Sequence, residues 1–189
     1  MATQAMPNFT LEEYLKLERE AETRSEYIQG AVVAMAQPTV RHNQIAANAL
    51  SWINWQHRGQ NCAATGSATN VYIEKYDVAT YPDVVVVCEP IKFLDERKST
   101  INDSTVIVEV LSPTTQNYDR GEKFRYYRGL PSFTEYLVLV QDCIRAEHHV
   151  RQADGTWLFR EITELTAVVA LASIRCDLPL AALYEHVQF

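Results

Sequence analysis

The 189-residue sequence predicts an α/β domain built on a mixed β-sheet flanked by helices, and three observations carry that expectation. Residues 104–140 read as an apolar strand (STVIVEVL), a helix from about Tyr118 to Arg128, and a second apolar strand (TEYLVLV). In such a βαβ unit the two strands are parallel and the crossover is right-handed. Hairpin signals lie on either side, at Gln29-Gly30 within SEYIQGAVVAMA and at Ala153-Asp154-Gly155, and hairpins are antiparallel. The 47% apolar and 22% charged fractions are those of a globular chain that can bury a core.

The elements follow in order. Thr10-Leu11-Glu12-Glu13 fits a capping box opening a helix that runs to about Glu22. The first hairpin spans residues 25–36. A second helix is expected from about Arg41 to His57, with Ile45, Leu50, Trp52 and Ile53 close to helical spacing. Strand signals then dominate, at 61–65, 69–75, 82–88, 104–111, 134–140, 144–151 and 156–163. Pro179 opens a short last helix, PLAALYEHV. No repeat or linker divides residues 1–189, so a single domain is expected.

Composition narrows the function classes. Twenty-four acids against 17 bases give a net charge of −7, so no global positive field attracts nucleic acid or anionic lipid, and only a local patch could do so. Residues 118–129 hold four bases and two acids. Cys62, Cys88, Cys143 and Cys176 show no CxxC or Cys/His spacing, which argues against structural zinc and for reduced thiols. The opening MATQAMPNFTLEEYL lacks the basic start and apolar core of a signal peptide, and no run reaches the roughly 20 apolar residues of a membrane span. A soluble cytoplasmic protein is expected.

Two acids break the apolar pattern. Asp83 lies at the start of YPDVVVVCEP and Glu109 in the middle of VIVEVL. Carboxylates are rarely buried unless paired or cation-bound. Strand alternation places Glu109 with Ile107 and Leu111, and Asp83 with Tyr81 and Val85. Neighbouring strands would let both acids converge, near the carboxyl end of the Glu109 strand. Mg²⁺ suits such a pair, taking one or two carboxylates and completing its octahedron with water and phosphate oxygens.

Pro82-Asp83 followed by Glu109-Val110-Leu111 resembles the PD-(D/E)XK nuclease signature, whose last position is normally lysine. More closely, the chain is similar to the Uma family of restriction-endonuclease-like proteins. The similarity runs through SEYIQGAVVAMA, His42 and its helix, YPDVVVVC, VIVEVLSPTTQNYDRGEKFRYYRGLPSFTEYLVL and the closing DGTW, which together span most of the chain. The resemblance implies a restriction-endonuclease-like mixed sheet and an endonuclease that hydrolyses phosphodiester bonds in nucleic acid, DNA foremost, with Mg²⁺ or Mn²⁺. Asp83 and Glu109 would hold the metal, with Glu26 as a further metal carboxylate. Leu111 departs from the pattern, and Lys123 on the following helix is the substitute catalytic amine, on one face with Asp119 and Tyr127.

Plainer readings stand beside these. Asp83 suits a strand-start residue bonding nearby amides, and Glu109 an edge acid paired to Arg125. Lys123 suits an i,i+4 pair with Asp119 worth about 0.3 kcal/mol. Tyr118, Tyr126 and Tyr127 suit a core, and His42 a cap or packing position, outside the catalytic set. The alternative function is a non-catalytic binding or assembly module that keeps the nuclease fold; the net charge and Leu111 both favour it. Strand edges and ten tyrosines make a homodimer an additional expectation.

Overall fold

The computed structural model describes residues 8–88 and 90–189; Met1–Pro7, on which part of the signal-peptide reading rests, and Glu89 lie outside them. Helix α1 (Leu11–Glu20) opens on the expected capping box, with Thr10 and Glu13 bonding each other's backbone amides. Strands β1 (Ser25–Ile28) and β2 (Ala31–Ala34) form the first hairpin. Its turn uses Gly30 at φ +88°, a backbone conformation that strains residues carrying a Cβ and favours glycine. Helix α2 spans Val40–Gln56, capped by the Thr39 hydroxyl.

Strands β3 (Cys62–Gly66), β4 (Asn70–Ile73), β5 (Val78–Thr80), β6 (Val84–Cys88), β7 (Thr100–Ile101) and β8 (Val106–Leu111) follow. A helical run then passes from α3 (Gln116–Tyr118) through a π-helical turn, Asp119–Lys123, into α4 (Phe124–Tyr127). Strands β9 (Glu135–Val140), β10 (Ala146–Arg151) and β11 (Trp157–Ile162) complete a six-stranded sheet, ordered β11-β10-β9-β8-β6-β3. Its β8–β9 pair is parallel and the remaining pairs are antiparallel, as the βαβ segment and the flanking hairpin require. A five-stranded sheet, β2-β1-β5-β4-β7, and a hairpin of β12 (Val168–Leu171) and β13 (Cys176–Pro179) were not expected as separate units. Helix α5 (Leu180–Leu183) starts after Pro179.

Both faces of the six-stranded sheet are covered, which explains its unbroken valine runs. Val84, Val86, Val106, Val108 and Val110 pack with Ile45, Ala49 and Ile53 of α2 and with the C-terminal hairpin. Val85, Val87, Ile107 and Leu111 face Tyr126, Tyr127 and Phe133, together with Val71, Ile73 and Val78 of the five-stranded sheet. The alternation expected for Asp83 and Glu109 therefore holds, and both acids lie on the face between the two sheets.

The expectation of reduced thiols is corrected for two of the four cysteines. Cys62 and Cys88 stand directly opposite in the β3–β6 ladder, with Cα atoms 4.0 Å apart, and are joined by a disulfide. Register brings them together across 26 residues, a distance at which spacing alone is silent. Cys143 and Cys176 are free. The bond closes a loop containing β4, β5 and Asp83, so reduction should lower unfolding stability by about 3 kcal/mol. Denaturant midpoints with and without reductant, compared with Cys62→Ser, test this; identical midpoints refute it.

Candidate active site

The site lies where the two sheets meet the helical run. The β6–β8 register sets Val84 against Val108, so its continuation sets Asp83 opposite Glu109. The two acids are locked by reciprocal backbone contacts: Val110 N donates to Asp83 Oδ2 at 2.8 Å, and Asp83 N donates to Glu109 Oε2 at 3.3 Å. Glu109 is only 2% exposed. Its Oε1 accepts from the Tyr127 hydroxyl at 2.6 Å and lies 2.9 Å from Lys123 Nζ.

Lys123 is 5% exposed and collects acids from three elements. Its ammonium is 3.5 Å from Glu26 of β1 and 3.5 Å from Asp119 one turn back. Glu26 also accepts from Thr80 of β5 and, at 2.9 Å, from Tyr118. The π-helical turn presents Asp119 and Lys123 to the site together, while the Tyr136 hydroxyl donates to the Asp119 carbonyl at 3.0 Å. Such widened turns recur at functional sites.

His42 forms the outer lip with Asp83. Its Nε2 is 3.2 Å from Asp83 Oδ2, and their side chains are 13% and 15% exposed. Thr39 receives the His42 amide at 3.1 Å, which fixes the first turn of α2 over the strand ends.

The electrostatics follow from the count. Glu26, Glu109 and Asp119 face one lysine, so full ionisation leaves two uncompensated negative charges there, with Asp83 paired to His42 at the lip. Burial is the main force pushing Glu109 up to about 8, with Asp83 and Asp119 adding to it while Lys123 and Tyr127 pull back. Burial likewise raises Asp119 against the pull of Lys123. For Lys123 burial opposes the charge, but Glu109, Glu26 and Asp119 outweigh it and the ammonium is held well above its usual range. Burial and the crowding of carboxylates thus push Glu109 towards its protonated form, while Lys123 keeps its charge. Burial lowers His42, yet its hydrogen bond to Asp83 and the charge there win, and the imidazole titrates above its ordinary value.

The structure therefore brings Asp83, Glu109, Lys123 and Glu26 into one constellation. Lys123 pairs with Glu109 as well as with Asp119, and Arg125 does not replace it. Sequence reasoning passed over Tyr118, Tyr127, Thr80 and His42 as site members. The i,i+4 spacing of Asp119, Lys123 and Tyr127 was the signal for one of them. The hydroxyl partners of Glu26 become visible only once β1 and β5 are paired.

Among the described residues, no group of three or more His, Cys, Asp or Glu side chains is arranged to hold a metal ion. The pair that would hold a hard divalent cation is Asp83 and Glu109, each of which accepts from a backbone amide of the other's segment; an octahedral ion takes its other ligands from water and phosphate.

These features belong to a restriction-endonuclease-like fold. Residues 11–182 match the model of the Uma2 family, whose description is "putative restriction endonuclease". The chain belongs to the Uma2 family. Two uncharacterised proteins of Synechocystis sp. are similar to it: one is 32% identical over 153 residues, 81% of this chain and 86% of that protein, and the other 35% over 155 residues, 80% and 79%. A crystal structure described as a putative nuclease belonging to DUF820, from Anabaena variabilis, superposes with a TM-score of 0.75 at 21% identity. It covers 95% of this chain and 99% of that one. No helix among the described residues is long and apolar enough to cross a membrane.

Glu109 has a folded-state pKa above the ordinary 4.5, so the folded chain binds a proton that the unfolded chain has released. Its contribution to stability is present below 4.5 and lost as pH rises towards 8. Glu109→Gln should remove that loss, giving a stability–pH curve flatter than wild type between pH 5 and 8. Urea midpoints across this range test it, and parallel curves would refute it.

Proposed function

We propose that the protein is a Mg²⁺- or Mn²⁺-dependent endonuclease acting on nucleic acid, DNA foremost, with Asp83 and Glu109 as metal ligands and Lys123 as the catalytic amine. The observation that carries this reading is the 2.9 Å contact of a buried lysine with Glu109, itself hydrogen-bonded to Asp83. It supplies on the helix the amine that Leu111 cannot supply on the strand.

A bound divalent cation would polarise the scissile phosphate and acidify a water there. The chain's own residues do the rest. Tyr127 and Lys123 hold Glu109 by one oxygen, leaving Oε2 on the side of Asp83. Val110 N and His42 hold Asp83. The Lys123 ammonium offers positive charge to the phosphate as negative charge builds during attack. Glu26, the third metal carboxylate of the family pattern, has its oxygens on Thr80, Tyr118 and Lys123. In this arrangement it serves the site by orienting the lysine.

Cleavage of single-stranded, duplex and branched DNA and of RNA, with Mg²⁺ or Mn²⁺, is the direct assay. Asp83→Ala and Glu109→Ala should reduce cleavage by about a hundred- to a thousandfold, the range seen when a principal charge-stabilising group is removed, in protein that circular dichroism shows to be folded. Lys123→Met should lose cleavage while still binding Mn²⁺. A wild-type protein that cuts none of these substrates refutes the reading.

Because Glu109 must lose its proton to bind a cation, affinity should rise with pH from 6 towards 9 and binding should release protons. Calorimetry in two buffers of different ionisation enthalpy reads both effects. A pH-independent affinity with no proton release would refute a ligand that titrates in this range, and an affinity unchanged in Glu109→Gln would exclude Glu109 as a ligand.

A further inference from the structure

We propose that a cleft at the C-terminal end of α4 binds an unpaired nucleotide of the nucleic-acid strand, with its phosphate on Lys75, Arg128 and Arg151 and its base against Tyr76 and Trp157. The inference rests on the nuclease reading for its occupant, but on different residues. The cleft measures about 310 Å³ and lies between the turn Glu74–Tyr76, the end of α4 and the β10–β11 hairpin, lined by Lys75, Tyr76, Arg128, Arg151, Gly155 and Trp157.

Its cations are held without being neutralised. Lys75, Arg128 and Arg151 form no ion pair among the described residues. Arg128 lies 4.8 Å from the Phe124 ring centre and Lys75 5.4 Å from that of Tyr76, while Arg151 donates to the Pro131 carbonyl at 3.1 Å. Arg125 also lies over the Tyr76 ring, 5.4 Å from its centre, with Glu122 4.0 Å away. The other acids nearby in sequence are Glu74 and Asp154, the latter accepting from Thr156. In a chain of net charge −7, this is a local positive site of the kind that phosphate requires.

The rings supply the second half of the chemistry. Trp157 is braced by Phe124 at 5.1 Å and Phe133 at 5.3 Å between ring centres, and Tyr76 by Tyr126 at 5.6 Å. Gly129 permits that packing, since a Cβ there would stand 2.9 Å from the Tyr76 ring and from Ile73. Fixed aromatic rings beside guanidinium groups are how proteins hold single strands, whose base faces are free, whereas a duplex buries those faces in its own stack. One helix links cleft and site: Lys123 turns to the carboxylates, and Arg128 to the cleft about 7.5 Å further along the axis.

The test uses the full chain in EDTA, where no cleavage occurs, and a short single-stranded DNA carrying 5-iododeoxyuridine. Photocrosslinks should map to Tyr76 or Trp157. Lys75→Ala/Arg128→Ala/Arg151→Ala should weaken binding at least tenfold and reduce the salt slope by about 2, at roughly 0.7 per phosphate contact. Arg128→Lys/Arg151→Lys, as a control for folding, should retain most of the affinity. Crosslinks elsewhere, wild-type binding by the triple variant, or tighter binding of the matching duplex would each overturn the proposal. Cleavage with Mg²⁺ is read separately. Binding through the cleft without cleavage sinks the nuclease reading alone, and unimpaired cutting by the triple variant sinks the cleft alone.

Discussion

One buried ammonium organises this molecule. Lys123 draws Glu109 from the six-stranded sheet, Glu26 from the five-stranded sheet and Asp119 from its own turn to within 3.5 Å. Four acids in one interior position would repel each other at an effective dielectric far below that of water. With the lysine in place they form a tie between two sheets that share no backbone ladder. Breaking a buried pair by removing one partner strands a charge, so the positions of β1, β5, β8 and the helical run are mutually dependent.

The same arithmetic that holds the sheets together makes the site receptive to a cation. One lysine leaves negative charge in excess, and that excess adds to burial in raising the Glu109 carboxyl. Tyrosine hydroxyls share the load: Tyr127 on Glu109 and Tyr118 on Glu26. Burial together with the nearby carboxylate keeps both phenols protonated, hence donors. The outer pair, Asp83 and His42, is where this charge meets solvent.

Much of this was legible in the amino-acid pattern. Acids inside valine runs mark a strand face that buries charge, and the βαβ segment fixes β8 parallel to β9, so Asp83 and Glu109 stood out from the pattern, while Lys123 joined them only through the family resemblance. What escaped depends on pairing between distant segments. The three-residue β5 follows a left-handed Asp77 and the two-residue β7 borders an irregular loop, both too short for periodicity to register. Residues 168–179 form a short apolar run compatible with either period, and the left-handed Arg175 turns it into a hairpin. The Cys62–Cys88 bond and the role of His42 likewise depend on which segments end side by side.

The π-helical turn has an evolutionary corollary. A turn of that width holds one residue more than an α-helical turn, so Asp119–Lys123 is a place where chain length and side-chain direction are coupled. Loss of a single residue there would rotate everything upstream by about 100° relative to α4, carrying Tyr118 and Asp119 off their partners while Tyr127 stayed in place. Gaps between related chains are therefore tolerable in the loops around this segment and disruptive within it. The spacing from Tyr118 to Tyr127 is thus a ruler by which a relative with an intact site can be told from one that has kept only the fold.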